Sequence, residues 1–299
     1  MVRYGEKMIL QVRELNKSIK KKKILKNISF SIQEKEILGF IGPNGSGKST
    51  TMKCICGLYY PTSGSIKIDG YDVIDEREKA LSQIGVSIES PALYPNLTGE
   101  EHFRIVSAWR NLDKNRIIEM EKFSGLNEGL KKEVRTYSMG MKQRLILSLS
   151  MMAKPKLLIL DEPTNGLDPQ AIIDLRNKLL DIRNEGTSIL LSSHQLDEVD
   201  KLVDRIIFIK NGEIIGEKTK EQLHKKHIYN LKTSDNIRAQ IILKKYKVFQ
   251  NEGFLAFECN SNLEFSNVIN LLVKEDISIY AIQERVQELE DYYQRLYKG

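Results

Sequence analysis

The sequence predicts an α/β protein built on a mainly parallel sheet, with a smaller α+β unit towards its C-terminal end. Three observations predict it. The apolar stretch Ile37-Leu38-Gly39-Phe40-Ile41 runs into a glycine-rich segment and then a helical one. Between residues 157 and 209, short apolar strands alternate with helical stretches, as in parallel β-α-β units. After about residue 220, short elements follow in the order β-α-β-β-α-β.

Residues 7–15 and 24–32 alternate apolar and polar positions and read as strands. Lys20-Lys21-Lys22-Lys23 between them reads as a solvated hairpin tip. Gly64–Gly70 is a short strand between turns. Residues 98–152 are mostly helical in pattern, broken near Gly125 and around 133–139. Strands at Leu157–Leu160, Ser188–Leu191 and Arg205–Ile209 alternate with helices at 169–185 and 195–202. The distal signals are strand 228–232, helix 235–244, strands 246–250 and 253–259, helix 262–274, strand 277–283 and helix 284–297. Their order suggests a ferredoxin-like unit. We expect one domain over 1–220, with a helical subdomain at about 90–152, and an accessory domain over 221–299.

The 299 residues are 41% apolar and 29% charged, with a net charge of +6. That composition is ordinary for a water-soluble chain. No apolar run approaches the ~18–20 residues of a membrane span. Residues 1–6 lack the apolar core of a signal peptide, so the expected location is the cytoplasm. Cys54, Cys56 and Cys259 form neither a disulfide framework nor a zinc spacing, and read as buried apolar side chains.

Residues 42–50, Gly-Pro-Asn-Gly-Ser-Gly-Lys-Ser-Thr, fit the phosphate-binding pattern G-x-x-x-x-G-K-[ST]. Glycines let backbone N–H groups converge, and the following helix adds the partial positive charge of its N-terminus. Gly42, Asn44, Gly45, Gly47 and Thr50 shape this cradle. Lys48 brings a full charge to the β- and γ-phosphates, and Ser49 a hydroxyl for Mg²⁺. Leu157-Leu158-Ile159-Leu160 ends in Asp161, placed to hold Mg²⁺, and Glu162, placed to polarise an attacking water. Ser138 reads as a helix N-cap that exposes N–H groups towards an anion.

Together, residues 7–217 resemble the nucleotide-binding subunit of ATP-binding cassette (ABC) transporters. Gly42–Thr50 resembles the Walker A motif, Leu157–Asp161 Walker B, and Glu162 the acid beside it. Tyr137–Met141 resembles the family signature, Gly166–Asp168 the D-loop and His194 the switch histidine. Ile84–Pro91, with Tyr94–Thr98 after it, resembles the Q-loop and the start of the helical subdomain. The resemblance implies ATP and Mg²⁺ as ligands and an ABC-type fold with an antiparallel β subdomain. It also implies two subunits facing head to tail. Ser138 and Gly140 then act on the other subunit's γ-phosphate, and His194 contacts the γ-phosphate and couples it to closure. A separate transmembrane permease forms the pathway, which puts this chain on the inner face of the membrane, with no nucleic-acid partner.

Three departures stand out. Glu89 replaces the Q-loop glutamine and adds negative charge beside metal and phosphate. Ile19 falls where an aromatic residue usually stacks on adenine, so weak base preference is expected. Met139 and Met141 replace a glycine and a glutamine of the signature, and could fill an interface gap. Glu89 and Ser138-Met139-Gly140-Met141-Lys142-Gln143-Arg144 resemble the bacitracin-resistance and lantibiotic-immunity branch, which removes antimicrobial peptides. Export of lipid, polysaccharide or a signal peptide is an alternative, as is a soluble ATPase acting on ribosomes or DNA. One P-loop and no long heptad run between Lys48 and Asp161 weigh against the soluble ATPase. Intact Lys48, Asp161, Glu162 and His194 weigh against a regulator without turnover. Of the remaining residues, His102 is expected at the surface and Trp109 in packing. His224 and His227 are expected on a solvated basic helix rather than at a metal.

Overall fold

The computed structural model describes residues 7–88, 93–223, 227–246, 248–251, 253–259, 261–286 and 289–298. Two compact units divide the chain, the first ending at Glu217 and the second starting at Lys218.

The first unit opens with β1 (Met8–Ile19), β2 (Lys22–Gln33) and β3 (Ile37–Ile41), then α1 (Lys48–Ile55). β4 (Ser63–Ile68), β5 (Tyr71–Asp72), α2 (Arg77–Ser82) and β6 (Ile84–Ser87) follow. The helical part comprises α3 (Gly99–Arg110), α4 (Lys114–Ser124) and α5 (Met139–Met151), with short 3-10 turns between the last two. Then come β7 (Leu157–Asp161), α6 (Pro169–Asn184), β8 (Ser188–Ser192), α7 (Leu196–Leu202), β9 (Arg205–Lys210) and β10 (Glu213–Thr219).

Two sheets carry this unit. One has the order β2-β1-β4-β5, with antiparallel pairing. The other has the order β10-β9-β3-β8-β7-β6, and its pairs from β9 to β6 are parallel. β3, β7 and β8 are buried on both faces, which explains their unbroken apolar runs. The sheets share one core, in which Phe30 stacks on Phe40 with ring centroids 5.4 Å apart. Parallel register sets Phe40 beside Ser192, Ser192 beside Asp161, and Leu160 beside Ser87. The C-terminal ends of four strands therefore meet along one edge, where ligands of open α/β sheets bind.

The second unit contains α8 (Lys220–Leu223), β11 (His227–Thr233), α9 (Asn236–Ile242), β12 (Val248–Asn251), β13 (Phe254–Cys259), α10 (Asn262–Lys274), β14 (Ile279–Val286) and α11 (Leu289–Lys298). Its sheet has the order β12-β13-β11-β14, all antiparallel. Tyr229, Leu231, Phe257, Val268 and Leu272 fill its core.

Four local expectations need correction. His102 is 4% exposed rather than superficial. Its Nε2 accepts the Tyr94 N–H at 2.9 Å and its Nδ1 lies 2.7 Å from the Thr98 carbonyl, so it holds the turn before α3. Trp109 is 75% exposed rather than packed. His227 belongs to a strand, its backbone paired between Cys259 and Val286, while His224 lies outside the described residues. The last strand continues to Val286, past the expected helix start at 284, because pairing with Ile228–Leu231 holds it extended. The three cysteines are buried as expected.

Candidate active site

Backbone demands shape the loop after β3. A Cβ on Gly42 would lie 2.2 Å from the Ile209 carbonyl oxygen and 2.6 Å from Ser46 Oγ. Gly45 and Gly47 adopt φ of 77° and 114°, a region that disfavours side chains. Asn44 and Gly45 are exposed, whereas Ser46 is buried and its Oγ has no protein partner. Ser46 was not singled out from sequence, because the motif leaves its position open. Ser49 and Thr50 are half-buried in the first turn of α1.

Lys48 opens α1 and is 6% exposed. Its Nζ donates to the Gly42 carbonyl at 2.6 Å and more weakly to Pro43 at 3.4 Å. Burial pushes its pKa below the usual lysine value, and the charges of Glu162 and Asp161 oppose that shift. The ammonium is therefore desolvated and still short of negative charge. An anionic ligand in the loop would supply that charge.

The acid pair sits at the end of β7. Ser192 Oγ donates to Asp161 Oδ1. Glu162 has φ 52°, and its N–H lies 3.1 Å from both the Ser192 carbonyl and the Ser192 hydroxyl. The turn aims the Glu162 side chain at His194, with Oε2 2.8 Å from Nδ1 and 3.2 Å from the His194 backbone nitrogen. The sequence supplied these residues but not their mutual contact.

A cavity of 580 Å³ opens beside the acids, lined in part by Ser87, Met139, Gln143, Asp161, Glu162 and Asn165. Ser138 caps α5, its Oγ accepting the Met141 N–H at 3.3 Å. A Cβ on Gly140 would make only ordinary contact, 3.4 Å from Ala171. The chain's own packing does not require glycine there. Met139 lies against Gly166 and Met141 against Gly129, so both methionines pack within the chain, although Met139 remains 53% exposed. Arg116 fixes the far end of α5: its Nε donates to the Met152 carbonyl at 2.8 Å and its guanidinium also reaches Met151. No sequence pattern marked Arg116, which acts across the fold.

The structure thus brings Lys48, Asp161, Glu162 and His194 to one sheet edge. Ile19 ends β1 as a partly exposed side chain, with backbone paired to Lys22. Glu89 lies outside the described residues. Among the described residues, no hydrogen bond joins Ser138 or Gly140 to residues 42–51. No helix described is long and apolar enough to cross a membrane. No cluster of three or more His, Cys, Asp or Glu suited to a metal occurs among them either. An Mg²⁺ site built from Ser49, Asp161, phosphate oxygens and water needs no such cluster. The unpartnered Ser46 Oγ and the tight Gly42 turn fit a nucleotide phosphate cradle.

A glycine loop feeding a helix, a strand-end aspartate and a glutamate–histidine pair define a P-loop ATPase. The family model for ABC transporters matches residues 25–165. An ABC transporter ATP-binding protein of Bacillus subtilis, YdbJ, is 37% identical over 95% of this chain and 94% of its own length. The lantibiotic transport ATP-binding protein SrtF of Streptococcus pyogenes is 42% identical over 70% of this chain and 90% of its own. The bacitracin transport ATP-binding protein BcrA of Bacillus licheniformis is 33% identical over 97% and 98%. A solved ATP-binding subunit of an ABC transporter superimposes with a TM-score of 0.67 at 32% identity, covering 72% of this chain and 92% of that one. The chain belongs to the family of ABC transporter ATP-binding proteins, whose members bind and hydrolyse ATP.

Proposed function

We propose that the chain is the ATP-hydrolysing subunit of a transporter that removes antimicrobial peptides from the cell or its membrane. It works as a homodimer on the inner face of the membrane, bound to a separate permease. The observation that carries the ATPase role is Glu162, fixed at the end of β7 and bonded to His194 beside the buried Lys48. The lantibiotic and bacitracin transport proteins, each matched over most of its length, support the cargo class.

The residues divide the work. The loop N–H groups and Lys48 bind the phosphates, and Asn44, Gly45 and Thr50 border that cradle. Ser49 and Asp161 would hold Mg²⁺, and Glu89 is assigned to the same metal by its place in the motif alone. When bound, Mg²⁺ neutralises charge on the transferring phosphoryl group. Glu162 accepts the proton of the attacking water. His194 orients Glu162 and meets the γ-phosphate. Ser138 and Gly140 complete the phosphate cage of a second subunit, a reading supported by Gly140, where a side chain would meet only ordinary contacts within its own chain.

Catalysis falls to residues 1–220 and accessory contacts to 221–299, a division supported by the two compact units, which part between Glu217 and Lys218. Antimicrobial peptide tolerance tests this reading in cells carrying the permease and either the wild-type chain or Glu162→Gln. Loss of tolerance with Glu162→Gln is expected. Unchanged tolerance would reject the peptide-removal role and turn attention to other cargo.

A further inference from the structure

We propose that Ser192 is a positioning residue of the ATPase site, its hydroxyl fixing Asp161 and Glu162 in one mutual geometry. The inference rests on the assignment of Asp161 to Mg²⁺ and Glu162 to the attacking water.

Ser192 ends β8 and has no exposed surface. Its hydroxyl must therefore find partners inside the protein. It donates to Asp161 Oδ1 and accepts the Glu162 N–H at 3.1 Å. Both partners come from the same dipeptide. Neighbouring serines make a useful contrast. Ser188, on the same strand, donates to the Gln33 carbonyl and accepts the Lys35 N–H, a tie between strands. Ser193 accepts the Gln195 N–H and only shapes the next turn. Ser192 alone of these three bonds to the acid pair.

Each bond does a separate task. The terminal torsion of an aspartate is broad, so its carboxylate plane is poorly fixed by rotamer preference alone. A hydrogen bond to Oδ1 sets that plane and leaves the second oxygen a defined direction. Groups that orient a metal-binding carboxylate in this way tune metal affinity. The second bond acts on Glu162, whose φ of 52° lies where non-glycine residues rarely sit. Its N–H is shared between the Ser192 carbonyl and hydroxyl. Removing the hydroxyl keeps the backbone bond to the Ser192 carbonyl. The strand therefore survives while the orientation of the two acids loosens.

The full chain, as Ser192→Ala, Ser192→Cys, Ser192→Thr, Ser193→Ala and Asp161→Asn, tests this. A fluorescent ATP analogue is titrated in EDTA and then against increasing Mg²⁺, and thermal midpoints are recorded. Cysteine fills the space with a weak donor, so it answers if alanine proves unstable. The alanine and cysteine variants should bind nucleotide in EDTA like wild type. They should need about tenfold more Mg²⁺ for tight binding, with kcat reduced and KM little changed. Ser192→Thr keeps a hydroxyl and should restore the wild-type Mg²⁺ requirement, and Ser193→Ala should not alter it. Wild-type Mg²⁺ dependence in both Ser192→Ala and Ser192→Cys overturns the inference if Asp161→Asn shifts it. If Asp161→Asn also leaves it unchanged, the metal assignment itself fails, and the inference with it.

Discussion

Glu162 Oε2 lies 2.8 Å from His194 Nδ1 and 3.2 Å from the His194 backbone nitrogen. The carboxylate is thus held by two groups of one residue, which follows the end of β8 as Glu162 follows the end of the neighbouring β7. A general base held in this way contributes roughly 10²–10⁴-fold to rate. Glu162→Gln should lower ATP turnover by about that factor and leave ATP binding intact. His194→Ala should lower turnover less, because Glu162 keeps its place on Ser192. Single-turnover hydrolysis with both variants checks the order of effects.

Gly42 and Gly45 should respond differently to alanine. The Gly42 Cβ would meet backbone at 2.2 Å, so the loop must shift. A loss of about 1–3 kcal/mol in stability is expected, together with nucleotide binding. Gly45 has open space, and only its φ of 77° opposes a side chain, at a cost of about 1 kcal/mol. Equilibrium denaturation with and without ATP distinguishes them.

Much of this was legible in the sequence because it is local. A buried parallel strand leaves an unbroken apolar run, and Leu157–Leu160 announces both itself and the acids at its end. The Ser138 N-cap is equally local, since its acceptor bond spans three residues. The Ser192–Asp161 and Glu162–His194 contacts span about thirty residues, and the parallel register creates them. Arg116 escapes for the same reason: its carbonyl partners, Met151 and Met152 at the C-terminal end of α5, lie 35 and 36 residues away in sequence. His102 and Trp109 depart from the sequence expectation because the chain context of α3 does not say which face turns inward. The structure buries the His102 face.

Gly140→Ala offers a test of the second subunit. Within the chain the added methyl meets Ala171 at an ordinary 3.4 Å. The thermal midpoint should therefore stay within about 1 °C, as for changes away from packed features. On the proposed dimer ATP turnover should nevertheless fall, because the methyl would occupy the space assigned to the partner's phosphate. A parallel loss of stability and turnover would place the fault inside the chain instead.

Ile19 predicts loose base selection. A partly exposed aliphatic end to β1 offers no ring for stacking, and such stacking is worth about 1–3 kcal/mol per base. GTP should compete with ATP at similar concentrations, and Ile19→Tyr should tighten binding of both purines. Strong ATP preference in the wild type would contradict this placement of the base.

On the proposed function, this chain forms half of an ATP-closed clamp. Light scattering of purified Glu162→Gln measures it most directly. Without nucleotide the mass should correspond to one chain of 34.4 kDa. With ATP and Mg²⁺ it should double, and adding Ser138→Arg to the same chain should prevent the doubling. A particle that stays at the single-chain mass with ATP bound, while the wild type hydrolyses ATP at that same mass, would contradict the account.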